Sequence, residues 1–181
     1  MIDECSKTNA LNKCPKEMDK VAEAYAIAAM YQCSKKCSAM AENLVSVTLF
    51  PAKDRGVTAE RDLKANALAI YAITCNVKKQ NANTEDGAAK KGIHTCNVCI
   101  GEGKNVPIIL VRTPFPKIEQ QGTNDVVSVS AFWYIDSHPQ FGNCTLGVES
   151  IKVDGVVTVE IPFIKNTKAI KKGDRLILVA P

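Results

Sequence analysis

The spacing of apolar residues changes character once along this chain of 181 residues. In residues 15–80 apolar side chains recur every three or four positions, which is the period of a helix packed on one side. From Val106 onward the apolar runs are short, rich in β-branched residues and separated by turn signals, as in strands. This change predicts an α+β fold, with an N-terminal helical segment of two main helices followed by a mostly antiparallel β module.

The first helix is predicted from Lys16 to about Val47, with Pro15 at its first position. Proline suits this position because its missing N–H would have no helical partner there. The stretch is rich in Ala, Met, Glu and Lys, which are good helix formers. Its apolar face is narrow and consists of Ala22, Ala26, Ala29, Cys33, Cys37, Met40 and Leu44.

A second helix is predicted to begin at Thr58, a good N-cap residue, with Glu60 near the positive helix end. Its apolar stripe consists of Leu63, Ala67, Ile70, Thr74 and Val77.

The β module is predicted to contain a hairpin at Asp154-Gly155, because glycine accepts the positive φ of a two-residue turn. The predicted parts are a helical cysteine-rich segment (1–80), a loop with a Cys-x-x-Cys motif (81–105) and the β module (106–181). The predicted strands cover residues 106–111, 126–135, 148–153, 156–161 and 176–179.

Charge and hydropathy exclude few functions. No run approaches the roughly 20 apolar residues of a bilayer-spanning helix, so no membrane span is expected. The net charge of +4 is modest for a nucleic-acid-binding protein, which usually concentrates positive charge on one face. A basic run in the β half and Trp133 in the densest aromatic group are candidates for contacting a partner; the basic candidates are Lys168, Lys171, Lys172 and Arg175.

Seven of the eight cysteines lie in residues 1–100, and three interpretations stay open. Disulfides would join the N-terminal segment to the first helix, and an even number of cysteines is compatible with them. Zinc would use Cys96 and Cys99, whose spacing suits one tetrahedral ion, together with His94, Cys33 and Cys37. Reduced cysteines would pack as small apolar side chains on the helix faces.

The stretch from Ala131 to Leu178 resembles the second half of SET domains, the lysine methyltransferase fold. The matching pieces are Ile135-Asp136-Ser137-His138-Pro139, Asn143-Cys144, the hairpin of residues 150–155, and residues 166–176, which include Ala169-Ile170-Lys171-Lys172-Gly173-Asp174. The resemblance implies S-adenosylmethionine as cofactor and methyl transfer, with His138 and Asn143 near the cofactor.

This sequence departs from the family pattern at three places. Asp136-Ser137-His138 replaces the Asn-His-Ser-Cys box, and residues 178–181 hold no tyrosine at the catalytic position. No glycine-rich cofactor segment lies at the usual distance upstream. We therefore expect a non-enzymatic binding or structural protein, without catalytic residues, whose β module contacts a protein partner or a second copy of the chain. The alternatives are a divergent SET-like methyltransferase and a zinc-stabilised module that binds nucleic acid.

Overall fold

The computed structural model describes residues 15–41, 44–49, 55–74, 76–79, 93–101, 103–112 and 130–180. Helix α1 (Pro15–Ala41) is followed by β1 (Val45–Leu49), β2 (Arg55–Ala59), β3 (Ala69–Tyr71) and β4 (Asn76–Lys79). Then come β5 (Ile93–Ile100), β6 (Asn105–Val111), a 3-10 helix (Ala131–Tyr134) and β7 (Asp136–His138). The last strands are β8 (Cys144–Val153), β9 (Val157–Asn166) and β10 (Ile177–Val179).

The predicted α+β class is confirmed, but the described part of the chain contains one α-helix rather than two. Helix α1 ends at Ala41, before the predicted end near Val47. The residues beyond it alternate Val with Ser or Thr, which favours an extended conformation. They form β1 and pair antiparallel with β2.

The predicted second helix is wrong. Thr58 lies in β2, and Asn66 has φ of 60°, which the interior of an α-helix does not allow. Leu63 exchanges two backbone hydrogen bonds with Ile170, at 2.7 and 2.9 Å. Strand β3 pairs antiparallel with β9. The apolar residues therefore contact the β module, and their spacing of three and four matched a helix by coincidence.

The main sheet is mixed and curled: in the described part of the chain five of its strand pairings are antiparallel, as predicted, and the two made by β10 are parallel. Its strands follow the order β4-β6-β5-β9-β8-β10-β7, and β3 pairs with β9 beside this path. The sheet therefore takes strands from all three of the predicted parts. The turn at Asp154-Gly155 is confirmed, with φ of 54° and 70°, and it joins two strands of ten residues each.

Strand β9 shows how the sheet curls. Its first half buries Val157, Val159 and Ile161 on one face, against the helix side. Its second half buries Ile164 and Asn166, which point to the opposite face. Since side chains alternate along a strand, the two ends of β9 lie in different parts of the core.

The aromatic segment was predicted to be part of a strand and is instead the 3-10 helix; residues 126–129 lie outside the described residues. Ser130 forms its N-cap, accepting a hydrogen bond from the Phe132 N–H and donating one of 2.5 Å to the Tyr71 carbonyl. Phe132, Trp133 and Tyr134 are all buried. Because the side chains of a 3-10 helix point in three directions, three successive aromatic residues can enter the core together.

Candidate functional site

The most elaborate hydrogen bonding in the C-terminal half lies where β10 runs between β7 and β8. Strand β10 is parallel to both neighbours, with Ile177 opposite Asp136 and Leu178 opposite Cys144. We call this region, residues 135–144 together with 174–180, the crossing. It brings together two pieces of chain about 35 residues apart in sequence.

Asn143 holds the crossing together through both its backbone and its side chain. Its backbone N–H donates to the Ile177 carbonyl at 3.0 Å, and its side-chain oxygen accepts from the Ile177 N–H at 2.9 Å. Its side-chain amide donates to the Arg175 carbonyl at 2.9 Å. The backbone carbonyl of Asn143 accepts a hydrogen bond from the Thr167 N–H at 2.8 Å. Asn143 is therefore committed to holding the chain in place.

One face of the β7–β10 pair carries the charged and titratable groups of the crossing. In a parallel pair, opposite residues share a face and alternate residues along each strand do so too. The register therefore puts Arg175, Asp136 and His138 on one face. The Arg175 guanidinium forms an ion pair with the Asp136 carboxylate, and their side chains are 32% and 26% exposed. We call this surface, with Phe141, the crossing face.

His138 and Phe141 form an exposed pair of rings at the other end of the crossing face. The imidazole Nδ1 accepts hydrogen bonds from the backbone N–H groups of Gln140 and Phe141, both at 3.1 Å. This geometry requires the tautomer with its proton on Nε2. The ring of Phe141 is 67% exposed, and its centroid lies 5.0 Å from that of His138.

The overall arrangement resembles known structures. The chain is similar to SET domains. ATXR5 in complex with mono-methylated histone H3.1 has a TM-score of 0.48 and 15% identity, over 83% of this chain and 62% of that one. The ATXR5 SET domain in complex with di-methylated histone H3 also scores 0.48 at 15% identity, over 82% and 64%. A putative histone methyltransferase of Plasmodium falciparum scores 0.41 at 13% identity, over 77% and 95%.

The resemblance to SET domains expected from the sequence is therefore also a structural one, over about four fifths of the chain. This chain spans less than two thirds of the ATXR5 chains. No known protein family and no curated protein matches the sequence itself.

The residues predicted to bind zinc lie near the helix–sheet interface. Cys33 of α1 and Cys96 of β5 are fully buried, and a charge on either Cys33 or Cys99 would raise the pKa of Cys96 further. Among the described residues, no three His, Cys, Asp or Glu side chains are arranged to hold a metal ion. The side chain of Cys37 lies outside this set.

His94 contacts aromatic rings of the 3-10 helix. Its ring makes edge contacts with Phe132 and Trp133, at centroid distances of 4.9 and 5.7 Å. Burial lowers the pKa of His94 because the charged imidazolium loses its hydration.

The four cysteines that the structure describes, Cys33, Cys96, Cys99 and Cys144, are free thiols. The predicted disulfides would join Cys5, Cys14, Cys33 and Cys37. Cys33 is instead a free thiol, and Cys5, Cys14 and the side chain of Cys37 lie outside the described residues. Burial, with Glu160 as the next cause, raises the pKa of Cys96 to about 12. Burial likewise raises the pKa of Cys144 to about 11.

We predict that Cys99 is alkylated first among these four thiols. It is partly exposed, whereas Cys33, Cys96 and Cys144 are buried, and only a thiolate reacts readily. Iodoacetamide labelling of the native chain at pH 8, followed by peptide mass spectrometry, measures each site separately. In urea the four rates should converge. Native labelling of Cys96 as fast as Cys99 would contradict the buried environment of Cys96.

A second prediction concerns the pH dependence of stability. Because the pKa of His94 is lowered in the fold, the unfolded chain binds more protons as the pH falls through the ordinary histidine range. The free energy of unfolding should therefore decrease between pH 7.5 and 5.5. His94→Phe should flatten this dependence, because phenylalanine fills the same site without a titrating group. Urea unfolding at several pH values tests this; equal slopes for His94→Phe and wild type would refute the assignment.

The residues predicted to contact a partner occupy different environments. Trp133 is buried, and its indole N–H donates to the Ile73 carbonyl at 2.9 Å. Lys168, Lys171 and Lys172 are exposed on the loop between β9 and β10. Arg175 lies at the crossing, where its guanidinium forms an ion pair with Asp136.

Sequence reasoning missed Phe141 and the Asp136–Arg175 pair. The pairing depends on a parallel register between two distant pieces of chain, and no local pattern indicates it. For Phe141 a signal existed, because an aromatic residue followed by glycine in a polar turn is a sign of an exposed ring. His138 and Asn143, which the SET resemblance named, both lie at the crossing.

Proposed function

We propose that this chain is a divergent SET-like methyltransferase that binds S-adenosylmethionine at the crossing face. One observation carries the proposal: the separate pieces that resemble SET motifs, residues 135–139, 143–144 and 174–176, meet at the crossing. Contact between pieces so far apart in sequence is what a binding site needs and what a chance local match would not produce.

The side chains of the crossing face suit the chemistry of that cofactor. The exposed ring of Phe141 offers a stacking surface for a purine, and the Nε2–H of His138 offers a hydrogen-bond donor beside it. The guanidinium of Arg175 suits a carboxylate at the opposite end. When bound, S-adenosylmethionine supplies an electrophilic methyl group. The chain's own residues would bind and orient it, with Asn143 keeping β10 in position.

Isothermal titration calorimetry with S-adenosylmethionine tests the binding step. Phe141→Ala should weaken binding about tenfold, since aromatic stacking on a base contributes about 1–3 kcal/mol. Val148→Ala is the matched control, because Val148 is similarly exposed, at 59%, on β8. Transfer is then measured as S-adenosylhomocysteine formed with core histones as the acceptor probe. The proposal is abandoned if the wild-type chain gives no heat at millimolar cofactor.

A second candidate function, binding of an acidic protein without catalysis, is favoured by the loop that carries Lys168, Lys171 and Lys172. Its backbone is held by hydrogen bonds from Lys171 N–H to Asp174 and from Lys172 N–H to Asp62, at 3.3 and 2.8 Å. The exposed lysines are thus presented on a fixed loop. Changing all three lysines to glutamate should abolish cross-linking to an acidic partner such as prothymosin, used as probe, without changing cofactor binding.

The part of the chain that the structure describes contains no helical stretch with the length and apolar character of a bilayer-spanning segment.

A further inference from the structure

We propose that the Asp136–Arg175 ion pair is a carboxylate gate, in which Arg175 receives the carboxylate of the ligand and Asp136 occupies Arg175 until the ligand arrives. The inference rests on the proposed function, because it assigns one end of the same ligand. It goes further because it names Arg175 as the residue that selects for the amino-acid end of the ligand. It also names Asp136 as the residue that competes with the ligand for Arg175.

The backbone of the gate is fixed while its side chains can exchange partners. The Arg175 carbonyl accepts the amide of Asn143, and Ile177 pairs with Asp136 across the strands. The two charged side chains themselves are about one third and one quarter exposed. Both side chains reach solvent, so a ligand carboxylate can approach the Arg175 guanidinium and replace Asp136 as its partner.

The order of groups along the crossing face matches a ligand with one acidic and one aromatic end. Asp136 and His138 are two residues apart on β7, so about 7 Å separates them along the strand. The ring of Phe141 lies next to that of His138, with 5.0 Å between the ring centroids. A guanidinium at one end and an aromatic ring at the other match the carboxylate and the purine of an amino-acid-bearing nucleoside. Arginine suits a carboxylate because its planar fork donates two parallel hydrogen bonds.

The gate has a consequence that distinguishes it from a merely structural ion pair. The Asp136 carboxylate pairs with Arg175, so it competes with the ligand carboxylate for the same donors. Removing the charge of Asp136 should increase the affinity for the ligand, whereas removing a residue that only supports the structure would decrease it. The affinity for a ligand without a carboxylate should not change.

Calorimetry on the full chain tests this with two probes, S-adenosylmethionine and 5′-methylthioadenosine, which keeps the purine and lacks the carboxylate. Asp136→Asn should bind S-adenosylmethionine about three- to fivefold more tightly, the factor expected for an exposed ion pair. Arg175→Gln should bind it at least tenfold more weakly, as expected for loss of a charged hydrogen bond. Both variants should bind 5′-methylthioadenosine as the wild type does.

Asp154→Asn, the same charge change at the tip of the β8–β9 hairpin, controls for net charge and should leave both affinities unaltered. If Arg175→Gln fails to fold, the double variant Asp136→Asn/Arg175→Gln keeps a neutral pair and should lose the preference for S-adenosylmethionine. Unchanged affinities in a chain that binds S-adenosylmethionine would overturn the gate and leave the proposed function standing. Failure of the wild type to bind either probe would overturn both.

Discussion

Replacing Asn166 by alanine is expected to lower the free energy of unfolding by about 3–5 kcal/mol, the sum of three buried hydrogen bonds left unmade. Asn166 is fully buried at the end of β9. Its side-chain oxygen accepts the Leu68 N–H at 2.9 Å, and its amide donates to the carbonyls of Lys64 and Lys168 at 2.7 and 2.9 Å. One side chain thus ties the segment of residues 64–68 to the end of β9 and the turn that follows it.

Asn166→Asp separates hydrogen bonding from packing, because it keeps the shape and removes both donors. Its carboxylate would face two carbonyl oxygens in a buried site, so we expect a loss at least as large as for alanine. The loss should diminish at low pH, where a protonated carboxyl regains one donor. Asn105→Ala, at an exposed position on β6, is the control and should change stability by less than about 0.5 kcal/mol. Urea unfolding gives the free energy of unfolding for the wild type and the three variants. A small effect of both Asn166 variants would show that residues 64–68 and the end of β9 hold together by other contacts.

Local sequence signals predicted the parts of this fold that local forces determine. The Asp154-Gly155 turn requires positive φ at both residues, and few residue types tolerate that conformation. The hairpin could therefore be predicted from these two residues. Helix α1 was likewise predicted from local signals, namely the proline at its start and the good helix formers that follow. Strand β6 was also predicted within one residue, because its apolar run is short and bounded by turns.

Contacts distant in sequence decided the parts that sequence reasoning missed. The apolar spacing of residues 58–77 satisfies a helix, yet Leu63 is buried by pairing with Ile170, more than a hundred residues later. At the site, the SET resemblance named His138 and Asn143, but the partner of Asp136 followed from the parallel register of β10 alone. A local sequence pattern does not indicate whether two distant strands pair in parallel or antiparallel. From their sequences alone, β7 and β10 would be equally plausible as antiparallel strands.

The second large effect is expected at Gly142, where a methyl group has no space. A Cβ at this position would lie 2.6 Å from the Val179 side chain, and 2.8 Å from both the Ile177 carbonyl oxygen and the Val179 nitrogen. Two of these atoms belong to the backbone of β10, so relief requires the strand to move. Gly142→Ala should therefore lower the free energy of unfolding by about 2–3 kcal/mol, in the range of overpacked cores.

Gly147→Ala is the informative comparison, because the three atoms nearest to its Cβ would all belong to the ring of Phe163, at 2.9 to 3.5 Å. A ring can rotate aside, so this variant should lose clearly less stability than Gly142→Ala. Hydrogen exchange locates the damage: in Gly142→Ala the amides of Asn143 and Ile177, which pair across the crossing, should exchange faster, and in Gly147→Ala they should not. Because β10 also carries the backbone of Arg175 into the crossing face, a shifted strand should weaken S-adenosylmethionine binding along with stability. If Gly142→Ala were to loosen β10 and leave cofactor affinity intact, the binding site would have to lie elsewhere on the molecule, so this one methyl group tests the packing and the function together.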